Sequence, residues 1–238
     1  MIVKLDLVAM LPMLIPLGGL VLVLLVDLMF PRAHAIHIGF GLVALVGGLI
    51  ASVPINGWLS SETGQRNSLC LPAPASCTWE ASPLVGALQF AALFAAIIVL
   101  LLSIPALMHE GEGGAATRLA LILTSASGSV GVAAARDGAS WLISLELATV
   151  PMIILVALPA TRAAVSGAIQ LLTTSLTSFA MLVLAVACWY AATGTIIFTP
   201  AQALVAVQLG HGALLTLSVV LFLAGLAFKL SLVPFHAW

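Results

Sequence analysis

Val21-Leu22-Val23-Leu24-Leu25-Val26 is a run of six apolar residues that leaves neither face polar, and it lies in a longer apolar stretch near 8–30. A strand of an outer-membrane barrel alternates apolar and polar residues over about ten positions, which this run does not do. An α-helix rises about 1.5 Å per residue, so about 20 apolar residues cross a hydrocarbon core of about 30 Å. The stretch therefore reads as a membrane-spanning helix. Lys4 ahead of it and Ala33-His34-Ala35 after it imitate a secretory signal with a cleavage site. A secretory apolar region is about 7–15 residues long. This one is longer and carries Asp27, so it reads as a retained span.

Working outward, stretches of the same kind fall near 34–53, 84–107, 117–135, 139–158, 164–191 and 211–233. The expectation is an all-α, polytopic membrane helix bundle of about seven spans in a single transmembrane domain, 1–238. Composition agrees: 63% of the 238 residues are hydrophobic and 6% are charged, against about 25% charged in soluble domains. Seven Lys/Arg oppose eight Asp/Glu, a net charge of −1, which leaves no basic stripe for nucleic acid. Collagen, disorder and a disulfide-dense scaffold are excluded on the same grounds.

Charge does not orient the bundle. Arg32, Arg118 and Arg162 fall in one set of loops, while Lys4, Arg66 and Arg136 fall on the other side, so the positive-inside count is even. The longest loop, 54–83, is rich in Pro, Ser and Asn and holds Cys70 and Cys77. They are either a small disulfide on an oxidising outer side or two free thiols. Cys188, inside a span, reads as a packing residue.

An ionisable side chain inside a bilayer costs roughly 2.5–3.5 kcal/mol even on the mildest insertion scale. Most charges lie in loops; Asp27, Glu146 and Lys229 do not. Asp27 lies about one turn from Pro31-Arg32, close enough to reach the interface or pair with Arg32. Glu146 is about two turns inside its span, in Leu145-Glu146-Leu147, and Lys229 lies in Phe228-Lys229-Leu230. Neither has an opposite charge one turn away, so relief must come from another helix or from water. The pair reads as a functional site, with a purely structural ion pair as the alternative.

Pro234 removes the helical partner of the Leu230 carbonyl, making the last span discontinuous at that point. His236 follows seven residues after Lys229; it is either a proton-transfer group or an interfacial histidine beside Trp238. Gln170, Thr174, Thr177 and Ser178 share one face of the sixth span, either supporting water or hydrogen-bonding between helices. No Gly-rich phosphate loop, CxxC, HExxH or G-x-S-x-G setting is present. The expectation is therefore no metal and no cofactor bound by this chain.

Phe228-Lys229-Leu230-Ser231-Leu232-Val233-Pro234-Phe235-His236-Ala237-Trp238 resembles the signature of the antiporter-like membrane subunits of complex I, the proton-translocating NADH:quinone oxidoreductase, and within them the subunit N (ND-two) branch. Leu145-Glu146-Leu147 and Leu24-Leu25-Val26-Asp27-Leu28 match the family more weakly, in register. The resemblance implies a Glu146/Lys229 charged pair that couples quinone reduction to proton transport along a hydrated axis. It implies NADH, FMN, iron–sulfur clusters and quinone in partner subunits, among them other antiporter-like subunits, and a multi-pass place in the bacterial inner membrane. It also implies that loop 54–83 lies outside, in agreement with a Cys70–Cys77 disulfide.

The chain departs from the family in two ways. A lysine common early in the sixth span is replaced in Gly167-Ala168-Ile169-Gln170-Leu171. Family members have about fourteen helices in two inverted repeats, so an incomplete antiporter-like fold is expected: a fragment, or half of a split subunit whose remaining helices belong to another polypeptide. A cation/proton antiporter subunit, a membrane hydrogenase subunit and a non-conducting scaffold are the alternatives.

Overall fold

A computed structural model describes residues 5–55, 66–70, 77–109, 114–230 and 232. The elements run α1 (Leu11–Met29), α2 (His34–Ile55), β1 (Arg66–Cys70), β2 (Cys77–Ala81), α3 (Pro83–Leu107), α4 (Gly114–Ala134), α5 (Gly138–Ala157), α6 (Arg162–Thr193), α7 (Pro200–Gln208) and α8 (Gly212–Lys229). All the helices except α7 are long and apolar enough to cross a membrane. The chain is an all-α, multi-pass membrane protein.

The helix ends follow local chemistry. Ser82, Asp137, Thr161 and Thr199 sit in extended conformation before α3, α5, α6 and α7, and each side chain accepts a hydrogen bond from a first-turn N–H, supplying partners that the first turn lacks. Proline opens α3 and α7, where its missing N–H costs nothing. α6 stops at Gly194, whose φ of 74° closes the helix in the left-handed region that glycine enters without penalty.

α4 is the centre of the bundle: 61% of its apolar window is buried, against 11–33% for the other spans. It is also the least hydrophobic span, and its buried residues include Ala115, Ala116, Ala126, Ser127, Gly128, Gly131 and Ala134. With lipid as apolar as leucine, membrane helices gain by close packing, and small residues permit it. A Cβ on Gly128 would lie 2.2 Å from the Ala148 backbone nitrogen in α5, so only glycine lets these helices touch there. Leu119, Leu123 and Val130 pack with Val23, Leu45, Leu93 and Leu100 into the main apolar cluster.

Several expectations need correction. α1 begins at Leu11 and α4 at Gly114, so Arg118 belongs to a helix rather than a loop. There it lines a cavity of about 280 Å³ between α3, α4 and α5. Hydropathy alone missed this turn because Gly, Ala and Thr carry little apolar signal. The connection after α6 contains α7, too short to cross a membrane.

The 54–83 region is not simply a loop. β1 and β2 form an antiparallel hairpin in which Cys70 faces Cys77, and those two cysteines are disulfide-bonded. The hairpin ties the N-terminal segment to the bundle. The Trp79 indole, 3% exposed, donates to the Ala9 carbonyl at 3.1 Å, and the Asp6 N–H donates to Ser68 Oγ at 2.9 Å. The Arg136 N–H donates to the Thr78 carbonyl, and its guanidinium pairs with Glu80 at 2.5 Å. The N-terminal segment, the hairpin, and the α4–α5 connection therefore share one side of the membrane.

Candidate functional site

Glu146 and Lys229 meet inside the bundle. Lys229 Nζ donates to Glu146 Oε1 at 2.8 Å, with the lysine side chain 9% exposed and the glutamate side chain 19% exposed. α5 supplies the acid and α8 the base, and α6 packs against both. The same ammonium donates to Ser175 Oγ on α6 at 2.9 Å. An ammonium has three donors, and two of them are satisfied here by two different helices.

Local packing holds this geometry. At the hairpin end of the bundle, Trp141 on α5 packs against Phe222 on α8, with ring centroids 5.4 Å apart. Phe222 in turn meets Phe198, which meets Trp189 of α6 edge-on. One turn before Lys229, a Cβ on Gly225 would lie 2.7 Å from Leu182 Cγ and 3.2 Å from the Ser178 carbonyl, so α8 and α6 approach closely. Ser178 Oγ donates to the Gly225 carbonyl at 2.8 Å, and Ser218 Oγ to the Ala185 carbonyl at 2.7 Å; both serines are buried. Such bonds across helices fix their rotation where no water can compete.

Beside the pair, α5, α6 and α8 line an open cavity of about 310 Å³, with Lys229, Ser175, Thr174 and Thr149 among apolar residues that include Met152 and Phe228. It brings a polar wall to the ammonium.

Of the polar stripe on the sixth span, Ser178 hydrogen-bonds across to α8. Thr174 and Thr177 instead donate back to carbonyls of their own helix, as hydroxyls in membrane helices often do. Ser175, which the spacing did not single out, is the residue of that segment that touches Lys229. Its signal in sequence was only that it lies one residue from the stripe.

Asp27, its side chain 23% exposed, has Oδ1 3.8 Å from Nε2 of His37, whose side chain is 1% exposed within α2. Leu230 closes α8 by donating its N–H to the Leu226 carbonyl, and the Leu232 N–H reaches the Ala227 carbonyl. The break at Pro234, His236 and Trp238 lie outside the described residues. Among the described residues, no group of three His, Cys, Asp or Glu side chains is placed to hold a metal ion.

Comparison with known proteins places the chain. Residues 135–238 match the model of the membrane domain family described as NADH:quinone oxidoreductase/Mrp antiporter; the span includes both Glu146 and Lys229. NADH-quinone oxidoreductase subunit N of Salinispora tropica is 31% identical over 241 residues, covering 100% of this chain and 45% of that protein. Its counterpart in Cereibacter sphaeroides is 40% identical over 119 residues, 50% of this chain and 25% of the relative. This chain thus spans about half the length, or less, of the curated relatives it matches. In fold it is similar to a chain of respiratory complex I from Thermus thermophilus, with TM-score 0.73 and 21% identity over 95% of this chain and 45% of that one. It is also similar to a chain of an archaeal membrane-bound sulfane sulfur reductase, with TM-score 0.84 and 17% identity over 98% and 47%.

Proposed function

We propose that this chain, whose residues 135–238 match the antiporter-like membrane family of NADH:quinone oxidoreductases and Mrp antiporters, forms part of a proton-translocating membrane subunit. The subunit is of the N type, in a bacterial inner-membrane NADH:quinone oxidoreductase. Quinone reduction occurs elsewhere in the assembly, and this chain contributes proton movement. The observation that carries the reading is the half-buried Lys229–Glu146 contact beside a largely apolar cavity with three hydroxyls in its wall.

The chemistry follows from the pair. At 2.8 Å the ammonium and the carboxylate form a charge-assisted hydrogen bond. When the carboxylate withdraws or takes a proton, this bond is lost and a donor of the ammonium is free to turn to another acceptor. A change at a neighbouring subunit that moves Glu146 by a few ångströms is thereby converted into loading or unloading of Lys229.

In vesicles carrying the assembled complex, Lys229→Ala is expected to abolish most proton translocation while assembly and quinone reduction persist. Pumping at the parental rate would overturn the reading. A second reading, membership of a cation/proton antiporter, is favoured by the family model, whose description includes Mrp antiporters. Activity that needs sodium and is independent of NADH separates it from the first.

A further inference from the structure

Three hydroxyls line the cavity beside Lys229: Thr149 from α5, and Thr174 and Ser175 from α6. The threonines are already engaged with their own helices. Thr149 Oγ1 donates to the Leu145 carbonyl at 3.0 Å, and Thr174 Oγ1 donates to the Gln170 and Leu171 carbonyls at 3.0 Å. Ser175 differs. Its Oγ accepts from Lys229 Nζ at 2.9 Å, and among the described residues its own proton goes to no protein acceptor. A serine hydroxyl is one donor and two acceptor sites, so this one can receive from the ammonium and give to the cavity at the same time.

We propose that Ser175 is a proton relay between Lys229 and water admitted to the cavity. In the unloading step an Nζ–H bond breaks and an Oγ–H bond forms. The original Oγ–H bond breaks, and its proton joins a water molecule. Lys229 ends neutral, Ser175 ends as the hydroxyl it was, and the positive charge leaves on hydronium; loading is the reverse. At about 30 Å³ per water, the cavity of about 310 Å³ admits several waters, enough for a chain away from Ser175.

The site explains why a relay is needed. Lys229 is 9% exposed and its nearest carboxylate is Glu146, so a proton passed to Glu146 stays within the pair. Ser175 gives it an exit. The remaining cavity wall is largely apolar, with Leu171, Ile153 and Val156 among its residues, and offers no competing group beside the ammonium. This inference rests on the reading of Glu146 and Lys229 as the proton-loading pair.

The test uses vesicles with the assembled complex, comparing Ser175→Ala, Ser175→Thr and Lys229→Ala across pH and in heavy water. Loss of a hydrogen bond to a charged group corresponds to about a ten-fold change in rate. Ser175→Ala is therefore expected to slow proton translocation about ten-fold and to alter its solvent isotope effect and pH profile, with Ser175→Thr restoring all three. If Lys229→Ala abolishes pumping while Ser175→Ala keeps the parental rate and isotope effect, the relay is wrong and the pair stands. If Lys229→Ala also pumps normally, the pair itself is wrong. A serine needed only for packing would lower the amount of complex and leave the isotope effect and pH profile unchanged, which also overturns the relay. Should Ser175→Ala not assemble, Ser175→Gly, which likewise lacks the hydroxyl, gives the same outcomes.

Discussion

Glu146 Oε1 and Lys229 Nζ lie 2.8 Å apart although 83 residues separate them in the chain. No other charge lies within one turn of either residue. Removing a charge from water costs several kcal/mol, and an ion pair in the interior repays this only with close geometry and further hydrogen bonds. The contact with Ser175 supplies one such bond. The three helices that meet here are thus held together partly by the group that we assign to proton transfer.

Breaking the pair on one side strands the other charge. Glu146→Gln and Lys229→Met are each expected to destabilise the assembled protein by about 1–3 kcal/mol without preventing assembly. The double variant should cost clearly less than the sum, because neither charge is then left alone. Thermal unfolding of the four forms in detergent measures the difference; additive losses would show that the two side chains do not interact.

Lys229→Arg separates charge from proton exchange. A guanidinium keeps the positive charge and can pair with Glu146, but it does not give up its proton in proteins. The expected outcome is an assembled complex with near-parental stability and little or no proton translocation. Pumping by this variant at the parental rate would mean that the charge alone suffices.

Gly128→Leu places side-chain atoms where the α5 backbone lies, since even a Cβ would come within 2.2 Å of the Ala148 nitrogen. Overpacking in a dense interior costs typically about 1–3 kcal/mol and more when backbone must move. The variant is expected to accumulate poorly. Gly167→Leu, at a position with open space around it, is the control, with accumulation expected near the parental level. Quantifying both chains in membranes checks the pair of outcomes.

Cys70 and Cys77 are disulfide-bonded across the hairpin, while Cys188 is free and buried. Thiol labelling of the unfolded, unreduced protein is expected to modify Cys188 alone, and reduction to expose two more thiols. Cys70→Ser should loosen the hairpin and weaken the anchorage of the N-terminal segment through Trp79 and Ser68. By the loop-closure argument the loss is about 2–3 kcal/mol, and faster proteolysis between β1 and β2 reads it out.

The fold class was readable because a bilayer imposes a length and an apolarity on every span. Runs such as Val21 to Val26 satisfy both without reference to the rest of the chain. Glu146 and Lys229 stood out for the same reason: a charge in an apolar helix is conspicuous one residue at a time. The helix turn that holds Arg118 and the short helix α7 were not readable. Both are built from small or mixed residues, whose helicity depends on capping and on packing rather than on hydropathy.

Pairing is a different kind of information. Local sequence specifies a lone glutamate and a lone lysine; their contact requires α5, α6 and α8 to pack with one rotation, set by Gly225 against Leu182, by Trp141 against Phe222, and by Ser178 and Ser218 across the helix boundary. The same packing chose Ser175 over Thr174 and Thr177 as the hydroxyl on the ammonium, and brought Asp27 near His37. Helical periodicity places residues on a face, but which face meets which neighbour is decided only when close-packed helices exclude the alternatives.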